Sequence, residues 1–338
     1  MKGKREFVLL VTLVFLSCGV LLFAGAQTEV TTPVGENFKV AFVMGDVVES
    51  TWNRTMMLSL LQLKEEGYPF EMKYVEQLTR ETIEGALRSF AEQEYDVIIM
   101  HYAGGRDTLY KIHQEYPNVV FLGGGYGYKT AAPNLGAYDQ AMHESAYLCG
   151  MIAGLMTKSN QLGGVGAFPN PNIDYLFNAY WRGATAVNPS VTLKVSYTSS
   201  YFDPVKAREA TLSLIAGGAD FFFAERDGVF SACEEKGVYV FGGNIDQHEI
   251  APKAVVTTAL VKWAPMLRKV FDDVKKGTYT AQYHTVYNGA MAAGLTDIAP
   301  FYGFDGVIPA EVKEKVAVAR QQIIDGKLVV PFETTKQW

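Results

Sequence analysis

Asp46, Glu49, Trp52 and Asn53 fall within "GDVVESTWN" (45–53), directly after the apolar run "KVAFVM". A carboxylate, a broad π-face and a primary amide at that spacing could grip a flat, hydrogen-bonding molecule. The indole would stack, and the amide would present a donor and an acceptor together. The same residues have plain structural uses. Trp52 could pack in a core, Asn53 could cap a turn, and Asp46 could sit at the positive end of the following helix. Comparable groups follow other apolar runs: His101, Gly104, Gly105 and Arg106; Tyr138 and Asp139; Phe168; Glu225, Arg226 and Asp227; Asn244, Asp246 and Gln247. Together they supply aromatic faces, acceptors, amides and few cations, which suits a neutral flat ligand better than a phosphate.

Other chemistries find little support. The glycine groups "HYAGGRD" and "FLGGGYGYK" match neither G-x-G-x-x-G nor a loop ending in Gly-Lys-Ser/Thr, so no dinucleotide or other cofactor is assigned. "HYAGG" reads as backbone kept close to a ligand or a neighbouring lobe, and His101 reads equally as a structural histidine or a contact. The histidines at 101, 113, 143, 248 and 284 lack H-E-x-x-H spacing, as does Asp246-Gln247-His248-Glu249, so no metal site is assigned. No G-x-S-x-G occurs, and neither Cys149 nor Cys233 has a base beside it in sequence, so no catalytic residue is assigned. Asp46, Glu49, Asp139 and Asp246 could converge as an acid/base pair only through a geometry that spacing does not specify.

The elements that must position these residues alternate. "FKVAFVM" (38–44) reads as a buried strand and 52–66 as a helix closed by Gly67. "FEMKYV" (70–75) follows as a strand, then 80–94 as an amphipathic helix capped by Thr79. "DVIIM", "TLYKIHQEY" and "NVVFLG" continue the rhythm, which predicts a mostly parallel sheet covered on both faces. A second series opens with "MHESAYLCGMIAGLMTKSN" (142–160), an apolar helix whose small residues allow close packing. "QLGGVGAF", helix 172–187, "TLKVSY", helix 204–216, "ADFFFA" and "VYVFGG" repeat the unit, with Asp203-Pro204 as a clean helix start. The segments 254–260 and 261–276 and "AAGLTDIAPF" are candidates for crossing back between lobes. Open parallel sheets bind ligands beyond the carboxyl ends of their strands, so facing lobes make a cleft lined by post-strand loops.

The start of the chain reads as an address. Lys2, Lys4 and Arg5 precede an apolar run from Phe7 to Phe23, and Ala24-Gly25-Ala26 gives a cleavage site after Ala26. Lipidation at Cys18 is the rival, disfavoured by bulky Phe15-Leu16 before it. Residues 27–37, with Pro33 and Gly35, read as a tether. The remaining length exceeds what one core usually serves, so two domains are expected. Loss of Lys2, Lys4, Arg5 and Glu6 moves the formal charge from −6 to −8, a balance that repels nucleic acid and anionic membrane. Cys149 and Cys233 are read as free, packed thiols.

Over most of 38–332 the sequence resembles the basic-membrane-protein family, the PnrA-like purine nucleoside receptors of ABC transporters. The likeness is strongest at "ESAYLCGMIAGLMTKSNQLGGVGAF", "YWRGATAVNP", "YFDPVKAREATLSLIAGGAD" and "FGGNIDQHEIAPKAVVTTALVK". It implies the α/β type I periplasmic-binding fold, two Rossmann-like lobes joined by crossover strands. Lobe 1 would comprise 38–140 plus about 259–288, and lobe 2 141–258 plus about 289–332. It implies no enzymatic activity, a monomer, an extracytoplasmic location, a small-molecule solute, and an ABC permease with its cytoplasmic ATPase as partner.

By position, "ESTWN" matches the family's Asp-x-Ser-Phe-Asn, placing Trp52 at the stacking aromatic and Asn53 at the base-holding amide. "GGNIDQ" matches Gly-Val-Asp-Ser-Asp-Gln, so Asn244 replaces an aspartate expected at ribose hydroxyls while Asp246 and Gln247 are retained. Lys262 matches the lysine expected to reach the sugar or its aspartate. The family's Ala-Gly-x-x-Gly loop is here "AERDG", which adds Glu225 and Arg226. These departures leave room for a free nucleobase or riboflavin. The ligand-binding set is thus Asp46, Trp52, Asn53, Tyr138, Asp139, Phe168, Glu225, Arg226, Asn244, Asp246 and Lys262.

Overall fold

The computed structural model describes residues 27–30, 38–125, 127–130, 132–285 and 288–338, for 27–30 the backbone alone. The leader and Cys18 lie outside the described residues. The first sheet holds β1 (Gln27–Val30), β2 (Lys39–Met44), β3 (Glu71–Val75), β4 (Val97–His101), β5 (Val120–Gly124) and β6 (Leu135–Tyr138). Its order is β1-β3-β2-β4-β5-β6, parallel except for β1, which pairs antiparallel with β3. Gln27–Val30 is therefore sheet edge and not tether. Helices α1 (Thr51–Glu65), α2 (Ile83–Glu92) and α3 (Arg106–Ile112) connect these strands. Every residue of β4 is buried, as expected of a central parallel strand covered on both faces. Helix α2 begins later than expected. Thr79 instead accepts from the Glu81 N–H at 3.2 Å in the turn before it.

The second lobe repeats the plan. Helix α4 (His143–Met156) leads to β7 (Gln161–Gly166), α5 (Pro171–Val187), β8 (Thr192–Tyr197), α6 (Pro204–Ala216), β9 (Phe221–Ala224), α7 (Val229–Lys236), β10 (Tyr239–Asn244) and β11 (Val255–Val261). The strand order is β12-β11-β10-β9-β7-β8, with the short β12 (Thr296–Ile298) antiparallel. Asp203 caps α6 as its sequence predicts, accepting from the Lys206 N–H at 3.0 Å. Cys149 and Cys233 are buried free thiols. Among the described residues no helix is long and apolar enough to cross a membrane.

The chain leaves the first lobe at 139–142 and returns to it at 262–263; 282–285 lie with the first sheet and 289–291 with the second lobe's α4. Since β11 pairs within the second sheet through Val261, the second passage begins after 261 and not near 259. Helix α8 (Ala264–Lys275) then packs on α1, and 282–285 runs along β6, with the His284 N–H donating to Ala137 O at 2.7 Å. The returning strand is held from both sides. The Thr285 hydroxyl donates to Asp139 O at 2.6 Å, and Glu144 accepts from the N–H groups of Gly289 and Met291 at 2.8 and 2.6 Å. Helix α9 (Ala310–Ile324) lies on α4, and the C-terminal residues fold onto α5, where Asn178 donates to Glu333 O and Thr335 O.

Candidate functional site

In each sheet the first strand of the parallel set, β2 or β7, has the next two strands on opposite sides, which places a switch in chain direction between β2 and β4 and another between β7 and β9. Loops leaving the carboxyl ends on either side of such a switch diverge and leave a crevice, where open α/β sheets take their ligands. The candidate site is built from these two crevices.

In the first lobe the crevice is aromatic. Trp52, in the first turn of α1, stacks on His101, the last residue of β4, with ring centroids 4.0 Å apart and planes at 14°. Tyr138 lies behind His101, and Trp263 meets Trp52 edge-on at 5.8 Å. His101 Nε2 faces the carbonyl of Trp52 at 3.2 Å, and a carbonyl can only accept, so Nε2 carries the proton. Nδ1 is then the acceptor for the Tyr138 hydroxyl at 2.5 Å. Burial pushes the His101 pKa down to about 3, so the ring stays neutral and serves as a fixed backing for the indole. Trp52 itself is only partly buried. One face of its indole packs on His101.

The predicted neighbours behave differently from one another. Asn53 is 1 % exposed, and its Nδ2 donates to the carbonyls of Asp46 and Val47 at 3.1 and 2.9 Å. Its amide nitrogen thus ties the β2–α1 loop, a correction to the expectation that it presents its donor to a ligand. Asp46 is exposed, with Oδ1 accepting from the Val47 N–H at 2.8 Å. Tyr138 is fully buried and supports His101. Gly45 and Gly104 make room for the ring of Tyr102, on which any Cβ would land, so those glycines serve packing within the lobe.

The second lobe's crevice is an ion pair wrapped by aromatics. Glu225 Oε2 accepts from the Ala167 N–H at 3.0 Å and from Arg226 Nε at 2.8 Å, while Arg226 Nη1 donates to the Tyr201 carbonyl. Burial pushes the Glu225 pKa up, opposed by the adjacent guanidinium. Arg226 lies 5.8 Å from the centre of the Tyr201 ring, and Phe168 packs on that ring at 5.0 Å. Three post-strand loops thus converge to hold Tyr201, yet its side chain is 62 % exposed. Tyr201 was legible only as part of "YFDP"; its exposure on a fixed mount is a tertiary fact.

Asn244 ends β10 with φ of +73°, a left-handed backbone uncommon for a residue other than glycine. Its N–H meets Met142 Sδ at 3.3 Å, and its Oδ1 is buried without a partner. Asp246 is exposed and turned to Tyr302, whose hydroxyl donates to it, and to the His248 N–H at 3.1 Å. Gln247 Oε1 accepts from the Gly243 N–H at 2.9 Å. Lys262 is exposed, 3.9 Å from Asp297, which Arg320 holds with bonds of 2.8 and 2.7 Å. The aspartate Lys262 reaches is therefore on β12, not in "GGNIDQ". The structure brings together Trp52, His101, Tyr138 and Trp263 in one lobe and Phe168, Tyr201, Glu225 and Arg226 in the other. It leaves Asp46, Asp246 and Lys262 to solvent.

Asp139 starts the first passage between lobes, 8 % exposed, and burial pushes its pKa up to about 7 against the opposing Gln140 N–H. A carboxyl raised in the folded state destabilises that state increasingly as pH climbs from its unfolded value through its folded one, by ~1.4 kcal/mol per unit of separation. Asp139→Asn should therefore raise Tm of the ligand-free protein near pH 8 far more than near pH 4. Paired thermal melts at the two pH values check this, and an equal effect at both would remove Asp139 as the titrating group.

A family model described as "ABC transporter substrate-binding protein PnrA-like" matches residues 38–324. A purine-binding protein of Brucella abortus is 30% identical over 247 residues, covering 72% of this chain and 68% of its own. A putative ABC transporter glucose-binding protein of Haloferax volcanii is 28% identical over 299 residues, covering 88% of this chain and 74% of its own. Among solved structures, an ABC transporter solute-binding protein from Conexibacter woesei superposes with a TM-score of 0.73 at 21% identity, covering 87% of this chain and 98% of that one.

Proposed function

We propose, from the premise that this chain belongs to the PnrA-like family of ABC transporter substrate-binding proteins, that its cleft holds a flat heteroaromatic solute of the purine nucleoside kind. The family is one of non-catalytic receptors, and among the described residues no cluster could hold a metal ion. The observation that carries the ligand reading is the pair of aromatic mounts at the two switch points. Trp52 is backed by neutral His101 in one lobe, and Tyr201 is held by Phe168 and Arg226 in the other. A planar ligand between them would gain stacking on both faces, each worth about 1–3 kcal/mol. Glu225 and Arg226 pair with each other, which leaves the second lobe's crevice without a free counter-charge and favours an uncharged solute. The partner of the loaded receptor is then an ABC permease with its ATPase, met on the extracytoplasmic side.

A hexose is the second reading. The Haloferax relative is named for glucose, and an indole face also suits the C–H face of a pyranose. Mass spectrometry of small molecules released on denaturing the purified protein separates the two. A nucleoside or nucleobase is the expected species, and a hexose alone would overturn the heteroaromatic assignment.

A further inference from the structure

Three buried polar atoms without a partner lie where the lobes join. They are the indole Nε1 of Trp263 at the second passage, Oε1 of Gln140 at the first, and Oδ1 of Asn244 at the end of β10. Trp263 is 3 % exposed and its ring lies 5.1 Å from Tyr138 and 5.8 Å from Trp52, so its indole belongs to the aromatic crevice built around Trp52 and His101. Its backbone N–H donates to Ser59 Oγ of α1 at 3.1 Å, which ties the start of α8 to α1. Met142 joins the other two. It follows Gln140 in the first passage, and its sulfur meets the Asn244 N–H. A buried donor or acceptor left unmade is among the more expensive features of an interior, and native proteins seldom keep several at one boundary without a use.

We propose that Trp263 and Gln140 are specificity-determining residues on the cleft floor, working beside Asn244, and that they select an uncharged ligand carrying a hydrogen-bond acceptor for the indole N–H. Indole Nε1 only donates, so its partner on the ligand must accept, whereas the two amides can turn to meet either a donor or an acceptor. This rests on the receptor reading above and adds to it the polar edge of the ligand. None of the three groups is ionised, which leaves no counter-charge for a phosphate or a carboxylate on that edge.

The test is titration calorimetry of wild type, Trp263→Phe and Gln140→Leu with inosine, guanosine, adenosine and glucose. Trp263→Phe keeps an aromatic ring but removes the donor together with part of the indole's volume, so the analogue cycle is what isolates the donor. Each variant should bind the preferred probe at least ~10-fold more weakly. Analogues lacking one acceptor at a time (3-deaza, 7-deaza, 6-deoxo and deoxyribosyl forms) close the cycle. Wild type should lose affinity for one of them, and Trp263→Phe should lose nothing further for that same analogue. Additive losses, or wild-type affinity in both variants, would mean that the three atoms are met by buried water only, and the assignment falls. If wild type binds glucose and no nucleoside, the nucleoside reading fails by itself. The same cycle run with monodeoxyglucoses then decides the role of Trp263.

Discussion

Gly183→Ala should leave little folded protein at growth temperature, and Gly150→Ala should do nearly the same. Helices α4 and α5 cross with their backbones in contact. A Cβ on Gly183 would strike the carbonyl of Tyr147, and one on Gly150 would strike the carbonyl of Tyr180. Both obstacles are backbone inside hydrogen-bonded helices, so no side-chain rotation can relieve them. The helices must separate, which opens voids along a buried seam where Gly154 also meets Ala184 and Gly183 also meets Met151. A cost of roughly 3 kcal/mol or more follows for each substitution, a large part of the roughly 5–15 kcal/mol that holds a typical domain together. The double variant should cost less than the sum, because the first substitution has already parted the helices. Gly85→Ala on α2 is the control. It has open space around its Cβ and should gain about 0.5–1 kcal/mol from helix propensity. Urea titration of the four proteins measures this, and strict additivity at 150 and 183 would show that the clashes relax locally.

The same seam shows what the sequence could and could not convey. Small residues in "SAYLCGMIAGLM" announce close packing because they recur at helical spacing. Likewise "DVIIM" announces a central strand because burial on both faces forbids polar residues. Post-strand positions could be located for the same reason, since each apolar run ends where the chain meets solvent. What such patterns omit is direction. Asn53 and Tyr201 both follow strands, but Asn53 turns inward to two loop carbonyls while Tyr201 faces out on a mount of three loops. Trp263 comes to Trp52 only because α8 folds back onto α1, a contact set by topology. The β1 edge was hidden for a related reason. Residues 27–30 pair through the backbone with the free side of β3, and "QTEV" carries no apolar alternation of its own to mark it.

Tyr201→Ala should weaken ligand binding by roughly 5- to 150-fold while leaving the melting temperature of the ligand-free protein nearly unchanged, since a stacked base is worth about 1–3 kcal/mol. The ring is 62 % exposed, so little apolar area is lost to the fold when it goes. Trp52→Ala should weaken binding by a similar factor and also lower stability, because its indole covers His101 and meets Trp263. The two residues probe one interaction from opposite lobes with different structural side effects. If a planar ligand is sandwiched, the losses should be coupled, because with one wall gone the lobes no longer close as tightly on the other. A Trp52→Phe variant should keep most of the affinity, as a π-face remains over His101. Calorimetric affinity and thermal melts of wild type, the single variants and Trp52→Ala/Tyr201→Ala decide the matter. Full affinity in Tyr201→Ala, with the whole effect of Trp52→Ala appearing as lost stability, would return Trp52 to the role of a packing residue and leave the second lobe's aromatic mount without a ligand to hold.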